Sequence, residues 1–408
     1  MEKSNRPLVL LNLEKSIPPI PYGRQHINQE DIDSVTEVLR SDFLTQGPVV
    51  PQFEQAVSHF CHAKHAFAVN SATSALHIAC LALGLGPGDR LWTSPTTFVA
   101  SANCALYCGA KVDFVDIDPR TYNMSVECLT EKLKLADLKG ELPKIVVPVH
   151  LCGQPCEMAA IHALAQKYGF KIIEDASHAI GAQYKAELVG NCSYSDVTVF
   201  SFHPVKIITT GEGGMVLTND AGLAQRLKLF RSHGITNAPH QMEPRPVEEI
   251  WNYQQIALGY NYRMTDIQAA LGLSQMRRID EFVLKRRAIA QRYNDELKRL
   301  PIQLPWQHPE GDSSYHLYPI RVQKELIGLS QRQIYKMFTD ANILVNLHYI
   351  PVYLQPYYQA MGFKPGYCPN SEQYYKEAIS LPVYPNLGVD KLSQVITALK
   401  MICSFNIK

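Results

Sequence analysis

The sequence has almost no net charge: over 408 residues, 39 Lys and Arg stand against 38 Asp and Glu. Non-specific binding to nucleic acid or to an anionic membrane needs a basic surplus or a basic face, so the balance argues against both partners. It leaves room for a small anion held by a local site. Long apolar runs are missing as well. The longest, Ala75 to Gly86, is about half of the ~20 residues that a membrane-spanning helix requires, and His77 interrupts it. The opening MEKSNRPLVLLNLEKS has only the short apolar stretch Leu8 to Leu11 before Asn12 and further charge, which does not make a secretory signal. The ten cysteines lack the dense spacing of a disulfide scaffold and read as small buried hydrophobes, as Cys80 does in ALHIAC. A cytoplasmic chain is the expectation.

Metal and nucleotide motifs are equally scarce. His59, Cys61, His62 and His65 crowd HFCHAKH, and Cys152 and Cys156 bracket LCGQPC, but neither cluster has a paired zinc spacing. They read as a helix tail and a turn, and no metal site is expected. No GxGxxG follows the first strand, and GEGG at 211–214 comes late and precedes a strand. No GKS or GKT of a Walker loop occurs, nor a Gly-x-Ser-x-Gly elbow. With 46% hydrophobic and 19% charged residues, disorder is excluded and a folded chain of two or three domains is implied.

What is present is alternation. The apolar runs HAFAVN (65–70), RLWTSPT (90–96), KVDFVD (111–116), KIVVPVH (144–150), KIIEDAS (171–177), DVTVFSF (196–202) and GMVLTN (214–219) read as buried strands. Helical patterns such as TSALHIACLALG and MAAIHALAQKYG lie between them, several ending at Gly. The class is therefore α/β, with a mainly parallel sheet covered on both faces and ligands bound outside the carboxyl ends of its strands. After about residue 265 a long charged amphipathic stretch leads into Pro- and Tyr-rich sequence. We expect an N-terminal extension over 1–21, a large α/β domain over 22–280 and a smaller α+β domain over 281–408.

Three stretches carry chemistry. In VFSFHPVKIITTGEGG, Lys206 follows a buried strand, where an apolar setting lowers an amine's pKa and suits it to Schiff-base formation; a surface lysine in a loop is the plainer alternative. In KIIEDASHAIG, Asp175 sits at a strand's carboxyl end, where it can cap a helix or hold a pyridine nitrogen protonated, with His178 three residues on. In VNSATSALHIA, small and hydroxyl residues open a helix after a strand, a geometry suited to a phosphate and equally to a plain Ser/Thr cap. Phe98, just past the next strand, offers a ring on which a flat cofactor can stack, although a core Phe is commoner.

The order NSATSAL, SPTTFVASAN, EDASHAIG, SFHPVKIITTGEGG, RSHGI and GYNYRMTDIQAALGLSQ resembles the DegT-type nucleotide-sugar aminotransferases, from about Tyr22 to the C-terminus. Within that family IPYGRQ, EVLRSDFLTQGP, NSATSAL with Ala72 in place of the usual Gly, and VNLHYIPVY resemble the branch serving pseudaminic acid synthesis. The resemblance implies the fold of a type I pyridoxal-phosphate aminotransferase with a seven-stranded sheet. It implies that Lys206 forms the Schiff base, Asp175 pairs with the pyridine nitrogen, Phe98 stacks on the ring and His178 lies near the ring oxygen. Ala72, Thr73 and Ser201 would bind the phosphate, and Asn261 would reach the phosphate of a neighbouring subunit, so that a homodimer shares its active sites. Tyr22, the run Asp42, Phe43, Leu44 and Thr45, and the run Asn346, Leu347, His348 and Tyr349 fall where that branch contacts substrate or cofactor. Glutamate would be the donor and a UDP-linked 4-keto-6-deoxy sugar the acceptor. Arg263 is our candidate for gripping a glutamate carboxylate, since a planar guanidinium gives a bidentate grip; an interface arginine is the alternative. A sugar dehydratase relative would carry His in place of Lys206, and a cofactor-binding regulator would need an added DNA-binding module; neither feature is present. A different 4-keto sugar as acceptor stays open.

Overall fold

The computed structural model describes residues 18–246 and 248–404. All seven apolar runs form strands of one sheet: β1 (His65–Val69), β2 (Arg90–Thr93), β3 (Lys111–Phe114), β4 (Ile145–Val147), β5 (Lys171–Asp175), β6 (Val197–Ser201) and β7 (Gly214–Thr218). Their spatial order is β1-β7-β6-β5-β4-β2-β3. The pairings from β6 through β3 are parallel, whereas β7 runs antiparallel to both β6 and β1. Residues 202–213 between β6 and β7 hold no helix, and without a crossover the chain can return only antiparallel. Every residue of β6 and β7 is buried, as in a sheet covered on both faces.

The reversal of β7 has a consequence for the site. Its amino end, Gly213 and Gly214, lies at the same edge as the carboxyl ends of the other six strands. That edge receives the starts of helix α3 (Ala72–Ala82) and helix α4 (Ala100–Tyr107), while α1 (Gln29–Leu39) and α2 (Val49–Cys61) precede the sheet. A Cβ on Gly214 would stand 2.6 Å from the Ala72 nitrogen, so glycine there lets β7 approach the turn that opens α3.

Three further helices cover the sheet: α5 (Val126–Lys139), α6 (Met158–Tyr168) and α7 (Ala221–Arg231). Then α8 (Asp266–Met276) packs on α1 and α2, and α9 (Ile279–Leu297) leads away. Along α9 the packing partner changes. Ile279, Phe282 and Val283 belong to the core beneath the large sheet, whereas Ile289, Ala290, Tyr293 and Leu297 belong to a second core. That core is built on the antiparallel strands Ile302–Gln303, Tyr318–Val322 and Ala378–Leu381 and the helices Gln331–Asp340 and Val389–Ser404. Ile20 joins it too, because Ile20–Pro21 pairs in parallel with Ile343–Leu344. The chain after residue 281 is not wholly separate, however. Val352, Tyr353, Tyr358 and Cys368 pack into the core of the large sheet. Much of the Tyr-rich stretch is therefore core, not ligand surface. Most of the N-terminal extension, residues 1–17, lies outside the described residues.

Among the described residues no helix is long and apolar enough to cross a membrane, and no group of His, Cys, Asp or Glu could hold a metal ion. In HFCHAKH, His59–Cys61 end α2, His62 caps it and His65 opens β1, while Leu151–Gly153 of LCGQPC form a single tight turn.

Candidate active site

A cavity of about 960 Å³ opens at the carboxyl edge of the large sheet. Its walls carry Ala72, Thr73, Phe98, Asp175, His178, Ser201 and Lys206 from the sheet side, and Tyr22, Asn346, Leu347, His348 and Tyr349 from the other. Twelve of the residues singled out by sequence thus meet in one place.

At the cavity floor Asp175 ends β5, 4% exposed. Ser101 Oγ donates to Oδ2 at 2.6 Å and the Ser177 amide donates to Oδ1 at 3.1 Å. No Lys or Arg pairs with it among the described residues. A carboxylate has room for about four hydrogen bonds, so Asp175 keeps acceptor capacity facing the cavity. Lys206, five residues beyond the end of β6, is desolvated, and burial lowers its amine pKa from 10.5 to about 8 against the opposing pull of the Asp175 charge. About a tenth to a fifth of it is then the neutral nucleophile at pH 7 to 7.4, far more than for a free lysine.

At one end of the cavity Ser71 caps α3, its Oγ accepting from the Ser74 amide at 3.1 Å. First-turn amides such as those of Ala72 and Thr73 have no helical acceptor and point a partial positive charge outward. Ser201 stands buried at the end of the neighbouring β6. The Phe98 ring is 59% exposed and lies 6.4 Å from that of Tyr349.

His178 is held by backbone. The Cys152 amide donates to its Nδ1 at 3.3 Å, which leaves the ring's single proton on Nε2, 3.3 Å from Tyr349 Oη. Burial, then the positive charge of Lys206, holds His178 well below the usual histidine range, so it is neutral. The amide is aimed by the LCG turn, where Gly153 has φ +96° and packs against Ser314, the His178 carbonyl and the Tyr315 amide; no other residue fits there. On the facing wall His348 is buried and its pKa is lowered to about 3, chiefly by desolvation. It accepts from Asn346 Nδ2 at Nε2 (3.3 Å) and donates from Nδ1 to Ser380 Oγ (2.9 Å).

Six residues named from sequence do not line this cavity. Asp42, Phe43, Leu44 and Thr45 are exposed and pinned to α8: the Leu44 carbonyl accepts from the Asp266 amide (3.0 Å), and Thr45 bridges Thr265. Asn261 is exposed and bridges Ser232. Arg263 donates to Ser232 Oγ at 3.0 Å, and its Nε is buried without a partner. Among the described residues no arginine lines that cavity.

Sequence reading also passed over residues that matter to the site. Ser101 sits three places after Phe98 in SPTTFVASAN, a spacing that puts it at the same strand edge. Glu212 and Gln268 line the cavity because the GEGG turn feeds the reversed β7. The Cys152 amide carried no signal, being backbone.

The site has the fittings of a phosphorylated pyridine aldehyde: an unpaired buried carboxylate, an amine without a counterion, a helix start with free amides and an exposed aromatic ring. Comparison with known proteins agrees. The chain is 40% identical over 386 residues to the spore coat polysaccharide biosynthesis protein SpsC of Bacillus subtilis, covering 94% of this chain and 97% of that one. It is 37% identical over 373 residues to the UDP-4-amino-4,6-dideoxy-N-acetyl-beta-L-altrosamine transaminase of Campylobacter jejuni, covering 91% and 94%. Among solved structures it is similar to Helicobacter pylori PseC, an aminotransferase involved in pseudaminic acid biosynthesis, with TM-score 0.86, 32% identity and coverage of 95% and 100%. The sugar aminotransferase Spr1654 of Streptococcus pneumoniae, solved in its PLP-form, matches with TM-score 0.84 and 26% identity, covering 96% and 100%. The family model for the DegT/DnrJ/EryC1/StrS aminotransferases matches residues 25–400, and the chain belongs to that family of pyridoxal-phosphate enzymes.

Proposed function

We propose that the protein transfers an amino group from glutamate to C4 of a UDP-linked 4-keto-6-deoxy-N-acetylhexosamine, UDP-2-acetamido-2,6-dideoxy-β-L-arabino-hex-4-ulose. The product would be UDP-4-amino-4,6-dideoxy-N-acetyl-β-L-altrosamine, a precursor of pseudaminic acid. The observation that carries the aminotransferase reading is that Lys206 and Asp175, neither in an ion pair among the described residues, share one cavity beside the start of α3. Similarity to the C. jejuni and H. pylori enzymes supports the sugar.

Bound in the cavity, pyridoxal phosphate would supply an electrophilic carbon for amines and an electron sink for the carbon that loses its proton. Asp175, oriented by Ser101 Oγ and the Ser177 amide, would hold a proton on the ring nitrogen. The amides of Ala72 and Thr73 and the Ser201 hydroxyl would hold the phosphate. Phe98 would stack on the ring, and His178 would offer its Nε2 proton to the ring oxygen. Lys206 Nζ, with a pKa near working pH, would move the proton to and from sugar C4. Tyr22 and residues 346–349 would contact the acceptor from the opposite wall. Asn261 and Arg263 do not line their own cavity and would serve that of a second copy, so the active form would be a homodimer.

The 40% identity to a spore coat polysaccharide protein favours one second reading, amination of another nucleotide 4-keto sugar. The deciding experiment offers the purified protein pyridoxal phosphate, glutamate and both C5 epimers of the UDP-4-keto sugar, and identifies the product by NMR. Turnover of the L-epimer is expected; turnover of the D-epimer alone would overturn the assignment.

A further inference from the structure

We propose that Arg286 is a positioning residue for Lys206, tying the lysine's backbone to the C-terminal unit so that the seating of that unit sets where the amine stands. The inference rests on the aminotransferase reading above. Arg286 lies on α9 between Val283, the last residue packed on the large-sheet core, and Ile289, the first packed on the second core. It is 1% exposed. Its neighbours along the helix have carboxylate partners, Arg278 with Asp31 and Arg287 with Asp312. Arg286 is instead held by carbonyls. Nη1 donates to Val383 (2.9 Å), His316 (3.2 Å) and Tyr315 (3.3 Å), and Nη2 donates to Lys206 (3.5 Å).

Burying a guanidinium without an anion costs several kcal/mol, offset here by bonds to four carbonyls. What the guanidinium does, and an apolar group cannot, is join three separate chain segments at one rigid fork. One is the Lys206 loop at the end of β6. Another carries His316, whose ring lies 4.3 Å from that of His178 inside the site. The third, at Val383, also donates its amide to the Tyr22 carbonyl (3.0 Å), and so reaches the opposite wall of the cavity. The two walls are thereby fixed relative to the lysine.

The test uses the cofactor-loaded enzyme and three variants: Arg286→Met, Arg286→Lys and Arg287→Met. Arg287 is the control, because it also bridges the two units, from Gly181 to Ser313, without touching Lys206. The readout is the pH midpoint of the bound cofactor's visible absorbance, with the separate rates of the glutamate and sugar half-reactions. Arg286→Met should move the midpoint by about one pH unit and slow both half-reactions, because the lysine loses its tether. Arg286→Lys, which keeps the charge and part of the carbonyl bonding, should fall between it and wild type. Arg287→Met should leave the midpoint in place even where it lowers Tm. If Arg286→Met does not fold, Arg286→Lys against Arg287→Met carries the comparison. A wild-type midpoint in the Arg286 variants, or an equal shift in Arg287→Met, would overturn the assignment. Failure of the wild-type protein to show a titrating band that Lys206→Ala abolishes would instead sink the aminotransferase reading itself.

Discussion

Replacing Lys206 by methionine should make the cofactor-free protein more stable at neutral pH, although it removes the residue on which the proposed chemistry depends. Burial lowers the Lys206 pKa from 10.5 to about 8, a shift that corresponds to about 3 kcal/mol at most, since the side chain keeps some exposure to the cavity. The sign follows from proton counting. Below pH 8 the amine is charged in the folded and unfolded states alike, and the folded state bears the whole desolvation cost. Between about pH 8 and 10.5 the folded protein gives up the proton while the unfolded chain keeps it, so stability climbs with pH. Above 10.5 the amine is neutral in both and the cost is gone. Methionine fills a similar volume without a charge, so the Lys206→Met protein should be up to about 3 kcal/mol more stable below pH 8, with the gap narrowing towards pH 10. Urea denaturation of both cofactor-free proteins from pH 6.5 to 10, extrapolated to zero denaturant, measures the difference directly. A gap that does not change with pH would refute the reasoning, as would a Lys206→Met protein less stable than wild type at pH 7.

Acid should act through histidines before carboxylates. His178, His316 and His348 are held neutral by burial, so the unfolded chain takes up protons below about pH 6.5 that the folded state refuses. These three alone should lower stability by up to about 4 kcal/mol per pH unit, partly offset by His150, whose pKa is raised to about 10. His348→Gln should reduce the slope by up to about 1.4 kcal/mol per pH unit in denaturation curves between pH 7 and 5. Asp175→Asn leaves the ring nitrogen without a carboxylate and should slow the glutamate half-reaction roughly 100-fold in stopped-flow absorbance; an unchanged rate would remove Asp175 from the site. Gly214→Ala would press a Cβ to within 2.6 Å of the Ala72 nitrogen, whereas a Cβ on Gly86 would meet nothing within 4 Å. Cofactor affinity, read by fluorescence titration, should drop by about tenfold or more in the first variant and stay unchanged in the second.

The legible parts of the site are those whose chemistry is local in the chain. Asp175 was visible because two β-branched residues lead into it, and the α3 start because Asn70, Ser71, Thr73 and Ser74 cluster after a strand. Ser101 escaped because its partner lies 74 residues away. Arg286 escaped because a run such as KRRAIAQRY reads as a solvated face, and nothing in its periodicity marks the one arginine that the tertiary structure desolvates. The reversed direction of β7 was also invisible, since apolar runs show that a strand is buried and not which way it points.

By itself, then, the sequence determined the α/β alternation, the seven strands and the loops that carry Lys206, Asp175 and the hydroxyl-rich start of α3, because hydrophobic period and turn residues are properties of neighbours. Only the tertiary structure decided which of those residues share a cavity. It gathered residues 346–349 and Tyr22 into the cavity with Lys206, and left Asn261, Arg263 and the 42–45 stretch outside its lining. It also removed water from Lys206 and the histidines. Desolvation and convergence are set by residues far apart in the chain, so they arise only when the two cores close on each other at α9.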